Sequence, residues 1–430
     1  MKLNNYTHLL IVLLLSALFT SCLEDDCAEK RTFVQVKAVM IDLEDIRQDP
    51  VTESPRDLEN PGKMYFYNDY ILVNELKEGI HIINNKDAKN PVNEGFIKIP
   101  GNVDIAVKDD FLYADNYIDL LSIDISDLKN TKLSCRIEDV FQSKFSVNER
   151  EGVIVDYVQT ENTIELDCSD PNFDQPNFSR GGDIFVDVSF DNAAGPTGAA
   201  ESIGGSTGTG GSLARFTVTK DHLYVIDDFN LFVYDVEQPA KPRSVNKVYV
   251  EWGIETLFPY QDLMFIGANN GMFIYDNTNP SNPEFLSKFE HARACDPVFV
   301  QGDFAYVTLR DGSVCEAFSN QLDVVDVSDF LNPTLIITHQ MQNPHGLSVR
   351  SDYLYICEGE HGLKVFDKRD VQNIPDNRTD YIKDIHAYDV ISLSESHLLV
   401  IGKDGLYQYD ASDKDNLKEM SVISVTRPNS

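Results

Sequence analysis

Three short stretches decide how this chain is read: GMFIYD at residues 271–276, GLKVFD at 362–367 and GLYQYD at 405–410. Each opens on glycine, runs through apolar and aromatic residues, and closes on aspartate. That is the composition of a short β-strand held between two turns. Working outward, each is the second of a pair of β-type runs. The pair recurs at 71–85, 111–124, 223–235, 264–276, 305–326, 354–367 and 398–410. Breakers follow most of them, as at Asn90-Pro91, Asn282-Pro283 and Asn332-Pro333. The spacing is roughly 41 to 49 residues, with one gap of roughly 111, the period range of propeller blades.

One unit spells out the four-strand pattern: 103–107, 111–114 and 118–125 are β-type segments, and a fourth precedes the next unit. Helical periodicity is missing from the long segments after the N-terminus. Four-stranded units at this period predict an all-β fold, a seven-bladed β-propeller counted from Lys63 to the C-terminus, which removes exposed sheet edges by closing a ring. The long gap predicts an insertion between blades 2 and 3, at about 136–211. It ends in the glycine-rich stretch GPTGAAESIGGSTGTGG at 195–211. That stretch reads either as a flexible linker or as a loop lying over one face; no Gly-Lys-Ser/Thr follows it, so it is not a phosphate loop.

The units resemble the LVIVD repeats of bacterial secreted propellers. LYVI at 223–226 and LDVVDVS at 322–328 carry the likeness, and it extends over nearly all of the chain beyond the N-terminal signal. The resemblance implies the propeller fold and says little about activity, because propellers host many functions. Members of this group in Bacteroidota are described mostly as surface lipoproteins, so the resemblance carries over no catalytic residues.

The N-terminus reads as a processing signal. Lys2 precedes an apolar run at 9–18 that is too short to span a bilayer. Phe19, Thr20 and Ser21 then lead to Cys22, an order that resembles the lipobox of bacterial lipoproteins, in which the cysteine is lipidated. A type I signal with a coincidental cysteine is the other reading. Glu24, Asp25 and Asp26 resemble the signal that sends such proteins of Bacteroidota to the outer face of the outer membrane. The expected organisation is a signal peptide at 1–21, an N-terminal tether at 22–61 and the propeller at 62–430. Six further cysteines then remain in a compartment that permits disulfides. Cys295 with Cys315, and Cys135 with Cys168, are the candidate pairs; Cys27 and Cys357 have no argued partner.

Charge narrows the partners. With 70 acids against 36 bases, the net charge of −34 repels phosphate backbones and argues against nucleic acid. The excess is read as solubility or as cation binding.

Aligning the units exposes a ring of ionisable residues at the start of each first strand: Lys63, Asp104, Arg215, Glu255, Asp296, His345 and Asp389. They are expected at one height around the channel mouth. The ring is either a salt-bridge network pinning the blades or the floor of a site for a polar ligand or cation. Loops between second and third strands open onto the same face and bring Glu75, Asp115, Asp227, Asn269, Arg310, Glu358, Glu360, His361 and Asp404. Trp252 and Tyr260 flank Glu255; they are read as packing between blades or as a platform for a sugar. Diagnostic catalytic spacings are missing. The expected function is therefore a non-enzymatic binding propeller, anchored to the membrane through lipid, taking a polar ligand, glycan or envelope protein. A glycan-active or metal-dependent hydrolase is the alternative, with Asp296 and Glu358 as paired carboxylates or His345 and His361, with Glu358 or Asp389, as metal ligands. A cofactor is not expected, a divalent cation excepted.

Overall fold

The computed structural model describes residues 28–148, 152–167, 169–173, 175, 177–180, 183–187, 209–210, 213, 215–290, 297–310 and 320–427. They divide into two units, residues 1–39 with 156–198, and residues 40–155 with 199–430.

Among the described residues of the larger unit, seven sheets are built as four-strand antiparallel meanders, each strand hydrogen-bonded to the next in chain order. We call them sheets A to G. Their first strands are Pro61–Tyr67, Ile105–Lys108, Phe216–Thr219, Ile254–Tyr260, Val298–Gln301, Leu347–Arg350 and Ala387–Ser394. The first strand of each sheet touches the first strand of the next, and that of sheet A touches the second strand of sheet G. Such a succession is the propeller architecture.

Strand alternation explains why the sheets stand face to face. In the second strand of sheet A, Ile71 and Val73 pack toward sheet G while Leu72 packs toward sheet B. The same division repeats around the unit. One apolar cluster lies between each successive pair, for example Phe265, Ile274, Val300 and Val307 between sheets D and E. The core is thus distributed between the sheets, and every sheet is apolar on both faces. This accounts for strands that read as near-continuous apolar runs.

The aspartate that closes each second run has a local task. Asp124, Asp276, Asp326 and Asp410 each accept the backbone N–H two residues on, at Ser126, Thr278, Ser328 and Ser412. A second aspartate, Asp87 or Asp329, caps the rest of the turn and takes the side-chain amide of Asn90 or Asn332. Side chains that satisfy turn amides hold the chain out of the ladder. Part of the negative charge is therefore turn chemistry. In all seven sheets a register shift also interrupts the pairing of third and fourth strands, as between Ile274 and Tyr275. Bulges of this kind add twist to an outer strand.

Sheet A carries two additions. Val51–Glu53 pairs outside its fourth strand, and Thr209–Gly210 pairs on the free edge of its first strand. Part of the 22–61 stretch, expected as a tether, is therefore built into the propeller unit. Closure between the last sheet and the first is fastened by Leu58 bridging Val425, by Thr426 N donating to Leu58 O, and by the Asn85 and Gln408 side-chain amides.

The smaller unit draws on the N-terminal segment and the expected insertion. Strands Gly152–Asp167, Ala28–Ile41, Asp183–Asp187 and Asn177–Arg180 lie in that order. Val36 pairs with Ile184 and Phe33 with Asp187. Phe33 and Leu166 are buried with Ile164 and Phe173 against them. No helix among the described residues is long and apolar enough to cross a membrane.

Candidate functional site

The short connection into each first strand positions the candidate residues. In sheet B, Asp115 is the last residue but one of the second strand, and its Oδ1 accepts from Asn102 Nδ2 at 2.8 Å, Val103 N at 2.7 Å and Asp104 N at 3.0 Å. That clasp aims the Asp104 carboxylate. Its Oδ1 accepts from Ile105 N at 2.7 Å. Its Oδ2 accepts from Lys63 Nζ at 2.5 Å and Arg215 N at 2.8 Å. One carboxylate therefore joins sheets A, B and C. Both members of the Lys63–Asp104 pair are buried, which pushes Lys63 down and Asp104 up, the latter to about 6, against the pull of each on the other.

Beside this pair lies a second group. Asp228, between the second and third strands of sheet C, accepts from Arg215 Nη2 at 3.0 Å and lies 3.1 Å from Lys144 Nζ. Burial works to raise its carboxyl, but the two cations prevail and hold it below the usual range. Burial and the charge of Arg215 push Lys144 down to about 8. Glu255, on the first strand of sheet D, is raised to about 7 by burial, with Arg215 and Arg310 pulling the other way.

A further group gathers around His345, on the connection into the first strand of sheet F. His345 donates its N–H to Cys357 O and accepts from Thr308 Oγ1 on its own carbonyl. Its ring lies against Tyr388, and its Nε2 is 3.4 Å from Arg310 Nη1. Burial, then Arg310 and His386, push it down to about 3, so the imidazole is neutral at physiological pH. Arg310 thus acts on both Glu255 and His345. Asp389 is buried and accepts from Val390 N. Gly346 passes so close that a Cβ there would lie 2.0 Å from Asp389 Oδ1.

Of the expected ring, Lys63, Asp104, Arg215 and Glu255 meet in one charged group, and His345 joins through Arg310. Asp296 lies outside the described residues. Glu358 is fully buried, paired with Lys364, and accepts from Gln342 N; Lys364 also donates to Gln342 Oε1. It holds its own loop. Glu75 is used in the same way by His81 and the amides of Glu59 and Asn60. His361 Nε2 is 3.9 Å from Glu360 and joins neither group. Among the described residues, no cluster of three or more His, Cys, Asp or Glu has the arrangement of a metal site.

Two site residues escaped the repeat alignment. Lys144 comes from the short 3-10 helix Gln142–Lys144, inside the expected insertion, where the alignment has no column. Asp228 is the neighbour of Asp227, which was singled out but instead caps its own turn at Phe229 and Asn230. Trp252 is 57% exposed, so packing between sheets is not its role. Tyr260 stands at the other end of the strand from Glu255, where its Oη accepts from Gly302 N. Cys135 is a free, half-buried thiol. Cys357 is free and buried, and burial raises its thiol well above the ordinary value. Cys22, Cys168, Cys295 and Cys315 lie outside the described residues.

The LVIVD repeat family matches this chain at residues 101–139 and 292–340. No curated protein matches it. Among solved structures, it is similar to the computationally designed Ika8 protein at 9% identity, with a TM-score of 0.52, over 87% of this chain and 91% of that one. It is also similar to a functionally unknown protein from Desulfotomaculum acetoxidans at 12% identity, with a TM-score of 0.46, over 85% and 95% of the two chains. A protein from Lactobacillus plantarum aligns at 13% identity, with a TM-score of 0.46, over 92% and 97%. Such low identities speak to fold alone. The chain carries LVIVD repeats within an all-β propeller architecture.

Proposed function

We propose that sheets A to G are the complete set of blades of a seven-bladed propeller whose mouth binds a polar ligand, and that it does so without catalysing a reaction. The observation that carries this reading is the convergence at Asp228. Two cations from different segments, Lys144 and Arg215, meet on one carboxylate. Beside them Glu255 is held near neutrality with Arg310 facing it. Clusters of ionisable groups that perturb one another mark candidate functional sites. The partner is a glycan, another polar ligand or an envelope protein.

The chain is, on this reading, a lipoprotein of the outer membrane, anchored through Cys22 and exposed at the cell surface. The residues leading to Cys22 and the acidic cluster after it support that address. Protease added to intact cells is expected to remove the protein, and Cys22→Ala to release it from the membrane fraction. Protection of the protein in intact cells would sink the surface claim.

The binding claim is tested by thermal unfolding of the wild type and of Arg215→Ala with Glu255→Gln, against a panel of glycans and divalent cations. A ligand at 100 times its dissociation constant stabilises the native state by about 2.7 kcal/mol. A shift seen in the wild type and lost in the variant supports a site at the mouth. An equal shift in both places the ligand elsewhere.

A hydrolytic reading has one observation in its favour, the Glu255 carboxyl near pH 7, which suits a general acid. It requires turnover that Glu255→Gln abolishes while leaving ligand binding in place.

A further inference from the structure

We infer that Tyr249 and Trp252 form a carbohydrate-stacking platform at the edge of the mouth, an inference that rests on the binding reading above and names its ligand class. Tyr249 ends the fourth strand of sheet C, Arg243–Tyr249, and Trp252 lies on the connection from it to the first strand of sheet D, Ile254–Tyr260. Tyr249 is 67% exposed and Trp252 57%, the two most exposed large apolar side chains among the described residues. An aromatic ring left in water is a hydrophobic face without a partner.

The connection that presents them is held at several points. Val250 N donates to Phe229 O and Gly253 N to Asp228 O. Glu251, between the two aromatics, accepts from Asn270 Nδ2 at 2.7 Å and from Lys288 Nζ at 3.1 Å. Gly253 has φ +80° and passes so close to the Asn269 amide that a Cβ would lie 2.3 Å from Nδ2. Both restraints require glycine there. A connection pinned in this way loses little freedom when a ligand arrives. The same Asp228 whose carbonyl holds the connection carries its carboxylate to Lys144 and Arg215. The platform and the charged mouth therefore share one residue.

The surroundings favour a carbohydrate over a polypeptide. The side chains that pin the connection between the two aromatics are Glu251, Asn270 and Lys288, all polar. A sugar ring presents C–H faces that stack on an aromatic and hydroxyls that bond to fixed carboxylates and amides.

Trp252 is the chain's one tryptophan, so its emission reports on the platform directly. The experiment titrates the full chain with cello-, xylo- and galacturonate oligosaccharides and with a peptide digest, reading tryptophan emission and, for Trp252→Ala, heat of binding. The expected result is a saturable emission change with at least one saccharide. Tyr249→Ala and Trp252→Ala should each raise its half-saturating concentration at least about tenfold, with thermal midpoints unmoved because both rings are exposed. The inference is overturned by saccharide binding that survives both substitutions, by saturation with peptide alone, or by no saccharide response. Arg215→Ala and Glu255→Gln separate the two readings. Binding lost in these but kept in the aromatic variants removes the platform and leaves the mouth. The reverse pattern keeps the platform and removes the mouth.

Discussion

Lys63 Nζ and Asp104 Oδ2 lie 2.5 Å apart with each side chain 1% exposed, and the same carboxylate oxygen receives the Arg215 amide. Removing one partner leaves a buried charge without its counterion. Asp104→Ala is expected to destabilise the propeller unit by about 3–5 kcal/mol. Lys63→Met with Asp104→Leu should cost much less than the single change. Denaturant midpoints of the three proteins decide this, and equal losses would show that the pair is not coupled.

Glu255 and Asp104 respond to pH in one direction and His345, pushed from 6.5 down to about 3, in the other. The folded values of the two carboxyls, about 7 and about 6, lie above the ordinary 4.5 and 3.8. There the folded state holds protons that the unfolded state has released, and the stability these two groups contribute falls as pH rises through that window. The groups acting on Glu255 are Arg215, Arg310, Asp228 and Lys144. The stability of the wild type relative to Glu255→Gln is expected to fall between pH 5 and pH 7, a comparison in which the opposite contribution of His345 cancels. A wild-type advantage that grows across that range would contradict the assignment.

The turn aspartates act with the opposite sign. Hydrogen bonds from Ser126, Thr278, Ser328 and Ser412 hold Asp124, Asp276, Asp326 and Asp410 below 3.8. Their contribution is complete above the ordinary carboxylate value and is lost as pH falls through the folded values. Acid unfolding followed by circular dichroism should begin below about pH 4. Changing all four to asparagine should lower stability at pH 7 and make the acid transition shallower.

Two equivalent tyrosines separate hydrogen bonding from packing. Tyr224 Oη donates toward Asn277 Oδ1 at 2.8 Å and Pro280 O at 2.9 Å, tying sheet C to a turn of sheet D. The buried Tyr306 hydroxyl, at the matching place in sheet E, has no partner among the described residues. Tyr224→Phe is expected to cost about 1–2 kcal/mol, and Tyr306→Phe to be neutral or stabilising. Equal losses in urea unfolding would remove the distinction.

The repeat was legible because everything that defines it is local. The glycine at 271, the run to Tyr275 and the cap on Asp276 lie within a few residues, and the same physics recurs in each sheet. Where Lys63, Asp104, Arg215, Glu255, His345 and Asp389 fall along the chain, at or beside the start of a first strand, was legible too. Their roles were not. Nothing near Glu358 announces that Lys364 will neutralise it, and nothing near Trp252 announces that it faces water while Tyr260 stands at the far end of the strand.

The sequence by itself determined the β-strands, their turns and the sheet period, because alternation, glycine at turns and aspartate caps act between near neighbours. Only the tertiary structure decided that Asp104 meets an amide 111 residues away at Arg215, and that Lys144 enters from a segment outside the repeat. It also decided that strand Ala28–Ile41 pairs with Asp183–Asp187 from the insertion. These contacts arise from loop closures whose entropy is nearly indifferent to length, so spacing along the chain carries no record of them.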